Sequence, residues 1–232
     1  MKTGNSQAAP RPPDREPRWH ASLAVVAATA LYLILPPRLT FGPIWAAPLL
    51  VGALLIPLSI LAPLRHQEKR WTRIASVVLI AILNFFNIAS VFLLVHGLVF
   101  GQAHKAIPGA ELLISGAEVW FTNILVFSLW FWELDGGGPE PRGLAASAGA
   151  VLGADFLFPQ MSMDAKRLAC VDEGWKPLFL DYLYLGFTNA LAFSPTDVMP
   201  LSRWAKMLML LEALISFVTI AVIVSRSINI IG

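Results

Sequence analysis

Apolar residues in this chain come in long unbroken runs, and the polar residues are gathered between them. A helix needs about 20 apolar residues to cross the hydrocarbon core of a bilayer, with a range of about 17 to 25. Four runs qualify in the first part of the chain, at about 20–35, 44–64, 74–100 and 111–132. A polar, glycine-containing loop at 133–176 comes next. It leads into an apolar segment at 177–194, a Ser194-Pro195-Thr196-Asp197 break and a last apolar run at about 201–230. The pattern predicts an all-α integral membrane protein with six membrane segments. The fifth is either a short span or a re-entrant, pore-like helix. Four regions follow from this reading: a disordered cytoplasmic tail at 1–19, four transmembrane helices at 20–132, the loop at 133–176 with an interfacial helix expected in it, and a helix-break-helix hairpin at 177–232.

Local signals agree with these limits. Trp19, Trp45, Trp71, Trp130, Trp132 and Trp204 fall near proposed span ends, where indole rings prefer to lie. The first run stops at Pro36-Pro37 without a small-residue cleavage pattern, so it reads as a retained span rather than a removed leader. The run Leu134-Asp-Gly-Gly-Gly-Pro-Glu-Pro is a helix stop and turn signal. Leu144 to Phe158 is mildly apolar and is expected to lie at the interface or against the bundle.

Charge placement orients the chain. The tail carries Lys2, Arg11, Arg15 and Arg18, whereas the first link has only Arg38. The second link carries Arg65, Lys69, Arg70 and Arg73, against only Lys105 in the third. Basic residues collect on the cytoplasmic side, which puts the N-terminus and the 65–73 link inside an inner (plasma) membrane. The 133–176 loop, with Arg142, Lys166, Arg167 and Lys176, falls on the same side. Full crossing by 177–194 is then favoured over re-entry, since 18 helical residues reach about 27 Å.

Composition narrows the function classes. With 56% hydrophobic and 14% charged residues and a mean hydropathy of +0.66, the chain lies far from soluble-domain usage. Its single cysteine, Cys170, allows no internal disulfide, and His20, His66, His96 and His104 show no ligand spacing. There is no nucleophile elbow and no strand-borne phosphate loop, and the glycines after Asp135 read as a turn. The expectation is a protein that is not an enzyme, holds no metal or cofactor and binds no nucleic acid. Its partners are the lipid bilayer and, as an open arrangement, further copies of itself.

Ionisable side chains inside spans are costly and default to functional candidates. Glu118 lies in the fourth span, with Thr122 and Asn123 one turn on, and Glu212 lies in the last. Such a carboxyl group is protonated, paired with Lys206 or His96, or open to a water-filled path. Asn84 and Asn87 share one face of the third span. The competing reading is that all of these groups bond helix to helix and hold the bundle together.

The hairpin resembles the pore region of potassium-type ion channels. That family places a pore helix before its filter, then Asp-x-x-Pro, then an inner helix opening with Trp and a basic residue. This chain has Thr188 in its fifth segment, Asp197-Val-Met-Pro200 after the break, and Trp204-Ala-Lys206 at the start of the last helix. The resemblance implies a pore-like loop made of Thr188, Asn189, Phe193, Ser194, Pro195, Thr196 and Asp197. The filter glycines are absent, and Pro195 fixes φ near −65° without an N–H, so potassium-type filter geometry is not expected. The second half is also similar to an uncharacterised bacterial inner-membrane family, a domain of unknown function. The likeness rests on Asp155-Phe-Leu-Phe-Pro159, Asp181-Tyr-Leu-Tyr-Leu-Gly-Phe-Thr188, Thr196-Asp-Val198, Ser216-Phe217 and Asn229. Together these imply a divergent pore-like hairpin passing a cation or proton. A non-conducting scaffold or partner-binding protein, and a small-solute carrier, are the alternatives.

Overall fold

Proline and glycine set the helix ends. The computed structural model describes residues 18–64, 70–100, 109–139, 141–142, 153–162, 175–192 and 197–231. Helix α1 (Trp19–Ile34) stops where Leu35 turns extended, at φ −58° and ψ 141°, as a residue before proline prefers. Helices α2 (Ala46–Leu64) and α3 (Arg70–Phe100) follow. Helix α4 (Gly109–Leu134) runs into a 3₁₀ turn at Asp135–Gly137. There Gly136, Gly137 and Gly138 adopt φ of 57°, 84° and 109°, conformations that only glycine takes without strain. After the short strand β1 (Phe156–Leu157) comes the single turn α5 (Pro159–Ser162).

Helix α6 (Phe179–Ala192) is opened by its own carboxylate. Asp181 Oδ2 accepts the Leu178 N–H at 2.7 Å, one half of a capping box. Strand β2 (Met199–Pro200) precedes helix α7 (Arg203–Ile231), where Ser202 Oγ caps the Ala205 N–H at 3.1 Å. Among the described residues, three stretches are long and apolar enough to cross a membrane: Arg70–Leu98, Ala110–Gly137 and Arg203–Ser225. Trp19–Ile34 and Ala46–Leu58 are shorter apolar helices, and α6 has only 14 residues.

The centre of the bundle is α4, which packs against α1, α3, α6 and α7. Val119, Val126, Phe127 and Phe131 are buried there with Leu185 of α6 and Met209 and Ile215 of α7. Phe92, Trp204, Leu210 and Phe217 point outward, as apolar side chains facing lipid do.

Helix direction corrects one expectation. Trp132 meets Phe179 edge-to-face and Trp120 meets Phe187 in the same way, so α6 runs antiparallel to α4. Asn123 of α4 bonds Ser216 of α7, and Gly116 lies against Ile223, so α7 is antiparallel to α4 as well. Helices α6 and α7 are therefore parallel and begin at the same end of the bundle. The ladder Phe156↔Pro200 and Leu157↔Met199, with the Leu201 N–H to Asp155 O bond of 2.8 Å, holds the start of α7 beside the start of α6. This arrangement does not match the favoured expectation of full crossing by 177–194 and has the outline of its alternative, a re-entrant helix. The helix is about 21 Å long against a hydrocarbon core of about 30 Å, and the chain beyond it has returned to its point of entry by Met199.

Candidate functional site

Polar side chains meet in the bundle interior, where α3, α4, α6 and α7 face one another. Asn87 of α3 donates to Asn123 Oδ1 of α4 at 3.1 Å. Asn123 in turn donates to Ser216 Oγ at 2.9 Å and to the Glu212 carbonyl oxygen at 3.3 Å, both on α7. From α6, Asn189 donates to the Met209 carbonyl at 2.9 Å and to Glu212 Oε2 at 2.7 Å. All five residues are buried, and Glu212 and Ser216 are inaccessible to solvent.

Glu212 is the one carboxyl group in this cluster. Its Oε1 is buried and has no hydrogen-bond partner among the described residues. Neither Lys206 nor His96 pairs with it: Lys206 is exposed on its own helix, and His96 is an exposed residue stacked beside Phe92. A carboxyl group held this way, with one bond from an amide and no cation, is costly in a low-dielectric interior.

Glycine makes the approach of α6 possible. A β-carbon on Gly186 would overlap the Ser128 hydroxyl of α4 and lie 3.3 Å from both Glu212 Oε1 and the Ile124 carbonyl oxygen. Ser128 Oγ donates to that carbonyl at 2.7 Å. Three oxygen atoms thus gather at the face of α6 that has no side chain.

A second polar node closes the end where α6 and α7 begin. Asp135 is fully buried and accepts from the Asp155 N–H at 2.7 Å, the Phe156 N–H at 3.2 Å and the Tyr182 hydroxyl at 2.5 Å. Arg142 caps α4 by donating to the Trp132 and Asp135 carbonyl oxygens at 2.7 and 2.5 Å, and its guanidinium lies 5.1 Å from the Tyr182 ring centre. Phe131, Phe156, Phe158 and Tyr182 form an edge-to-face cluster around it. Phe156 and Phe158 are buried against the bundle, and residues 143–152 of the stretch expected at the interface lie outside the described residues.

Of the residues singled out from the sequence, Asn189 and Glu212 are in direct contact. Thr188 is turned back on its own helix, donating to the Tyr184 and Leu185 carbonyls. Asp197 is exposed just before β2, whereas Glu212 is fully buried nine residues into α7. Glu118 is partly buried, with its Oε2 unpartnered, five residues from Asn123 toward the start of α4. Phe193, Ser194, Pro195 and Thr196, residues 1–17 of the tail and Cys170 lie outside the described residues.

Sequence reasoning missed Ser128, Gly186, Asp135, Tyr182 and Arg142. A carboxylate directly before three glycines was the available signal for Asp135. Nothing in the local sequence marks Ser128 and Gly186 as neighbours. No protein-family model, no curated protein and no solved structure matches the chain.

Proposed function

We propose that this chain is a multi-pass protein of the bacterial inner membrane that passes a proton or a small cation, with Glu212 as the ionisable group on the path. The basic tail, the basic 65–73 link, and Arg142 and Lys176 near the end where α6 and α7 begin support a cytoplasmic side for that end. On that reading α6 dips into the membrane from the cytoplasm and the C-terminus lies outside. A helix that enters, breaks and leaves by the same face is the outline of a pore hairpin, here approached from the inside. Irregular backbone at membrane depth is tolerated where protein buries it or water lines it.

The observation that carries this reading is the buried Glu212 carboxyl, held by the last turn of α6 with one oxygen unpartnered. Purified protein in liposomes tests it. Proton or sodium flux that is present in the native protein and lost in Glu212→Gln supports conduction. Equal flux in both, or none in either, overturns it.

A non-conducting scaffold is the second reading, favoured by a different observation. Asn87, Asn123, Asn189 and Ser216 are linked across four helices, as structural amides in a membrane bundle would be. It predicts that Asn123→Ala weakens the bundle while no flux is seen in the native protein.

A further inference from the structure

The oxygen atoms around Gly186 have no structural task that explains all of them. Close approach of α4 and α6 explains the glycine. It does not explain a carboxylate oxygen aimed at the gap with no donor facing it. Buried polar atoms are satisfied in the great majority of cases, and an exception calls for a cause. Glu212 Oε1 is one of several such buried atoms among the described residues; it belongs to the costliest kind of group to leave unpaired, and it is the one that faces the gap at Gly186.

We propose that Glu212 Oε1, Ser128 Oγ and the Ile124 carbonyl oxygen, gathered at the bare face of Gly186, bind one monovalent cation, a proton or a sodium ion. The donor set is all oxygen and carries a single negative charge, which suits a hard monovalent ion. Asn189 holds the other carboxyl oxygen at 2.7 Å and aims the group. The absent side chain at 186 keeps the gap open: any β-carbon there would sit against all three oxygens. This assignment rests on the reading of Glu212 as the ionisable group of a transport path, and it names the ligand of that group and the oxygen atoms that would share it.

No other charged group is among the atoms nearest a β-carbon at Gly186. On α4 the titratable and charged groups are Glu111, Glu118 and, at the far end, Glu133; on α3, His96, Arg70 and Arg73; on α6, Asp181 with Tyr182 and Tyr184; on α7, Lys206, Arg203 and Arg226; on α1, His20 and Tyr32; beside β2, Asp197. None of them is hydrogen-bonded or ion-paired to Glu212.

A hydrophobic carbodiimide, which reacts with protonated carboxyl groups in apolar surroundings, tests the site on full-length protein in detergent. The readout is the modified Glu212 peptide by mass spectrometry, across pH and in sodium or potassium chloride. Modification that sodium suppresses at fixed pH, while potassium does not, identifies a sodium ion. Modification that falls only as pH rises identifies a proton. Ser128→Ala removes one oxygen without adding bulk and should raise the sodium concentration, or shift the proton concentration, for half-protection by about tenfold. Absence of Glu212 modification in folded protein at every pH, with modification in the denatured control, overturns the site. So does protection in Ser128→Ala identical to that in the native protein. Flux is measured separately: protection without flux sinks the conduction reading alone, and flux without protection sinks this site alone.

Discussion

The Tyr182 hydroxyl donates to Asp135 Oδ2 at 2.5 Å, tying the start of α6 to the end of α4. The other oxygen of the same carboxylate takes the Asp155 and Phe156 N–H groups, which bring in the segment that pairs with β2. One side chain thus sets the level at which α6 enters the bundle and, through the ladder, the level at which α7 begins.

Removing the Tyr182 hydroxyl leaves Asp135 with two of its three donors. Tyr182→Phe should cost about 1 to 3 kcal/mol. Asp135→Ala strands all three donors and should cost more than Tyr182→Phe. Thermal or denaturant unfolding in detergent orders the two, and a Tyr182→Phe protein as stable as the native one would remove the node from the account.

Gly186→Ala drives a methyl group into the Ser128 hydroxyl, and overpacking of this kind typically costs about 1 to 3 kcal/mol. The clash has one principal partner. The Gly186→Ala/Ser128→Ala double variant should therefore recover most of the lost stability, and strict additivity of the two losses would show that they do not touch.

Asn123 joins three helices, whereas an average hydrogen bond between membrane helices contributes about 0.6 kcal/mol. Asn123→Ala gives up bonds to Asn87, Ser216 and the Glu212 carbonyl and should cost about 1 to 2 kcal/mol on that scale. Asn87→Ala in the Asn123→Ala background should then cost less than it does alone. Unfolding in mixed detergent micelles supplies all three values.

Topology is open to direct chemical labelling. In a Cys170→Ser background, Leu178→Cys and Met199→Cys place single thiols at two exposed positions, one on each side of α6 in sequence. Both should react with a membrane-impermeant maleimide from the same face. Reaction from opposite faces would mean that α6 crosses, against the fold described above.

Much of the helical outline was legible in the chain. The runs at 74–100 and 111–132 became α3 and α4 with a few extra residues at their ends, and 201–230 became Arg203–Ile231. Helix lengths and stops are local, and apolar runs, prolines and glycines record them. The return of the chain after α6 was not legible. It depends on pairing between residues near 156 and 200 and on a bond spanning 47 positions from Asp135 to Tyr182. Basic-residue counting registers which side a loop occupies and says nothing of whether a 14-residue helix between two such segments crosses. The interior site was half legible. Glu212 stood out as a carboxylate in an apolar run, while Ser128 and Gly186 looked like ordinary small residues. Only the antiparallel fit of α4 and α6 gives those two a meaning.

The Asp135 node also imposes an order of events on synthesis. Its last partner, Tyr182, emerges 47 residues after the carboxylate, a wait of about 2 to 10 s at usual elongation rates. During that interval α4 has reached its full length with a bare acidic end, and only the bilayer surface can solvate it. A ribosome paused between these two positions would leave a nascent chain with α1 to α4 made but the Asp135 end of the bundle still open, a state that quality-control proteases could recognise.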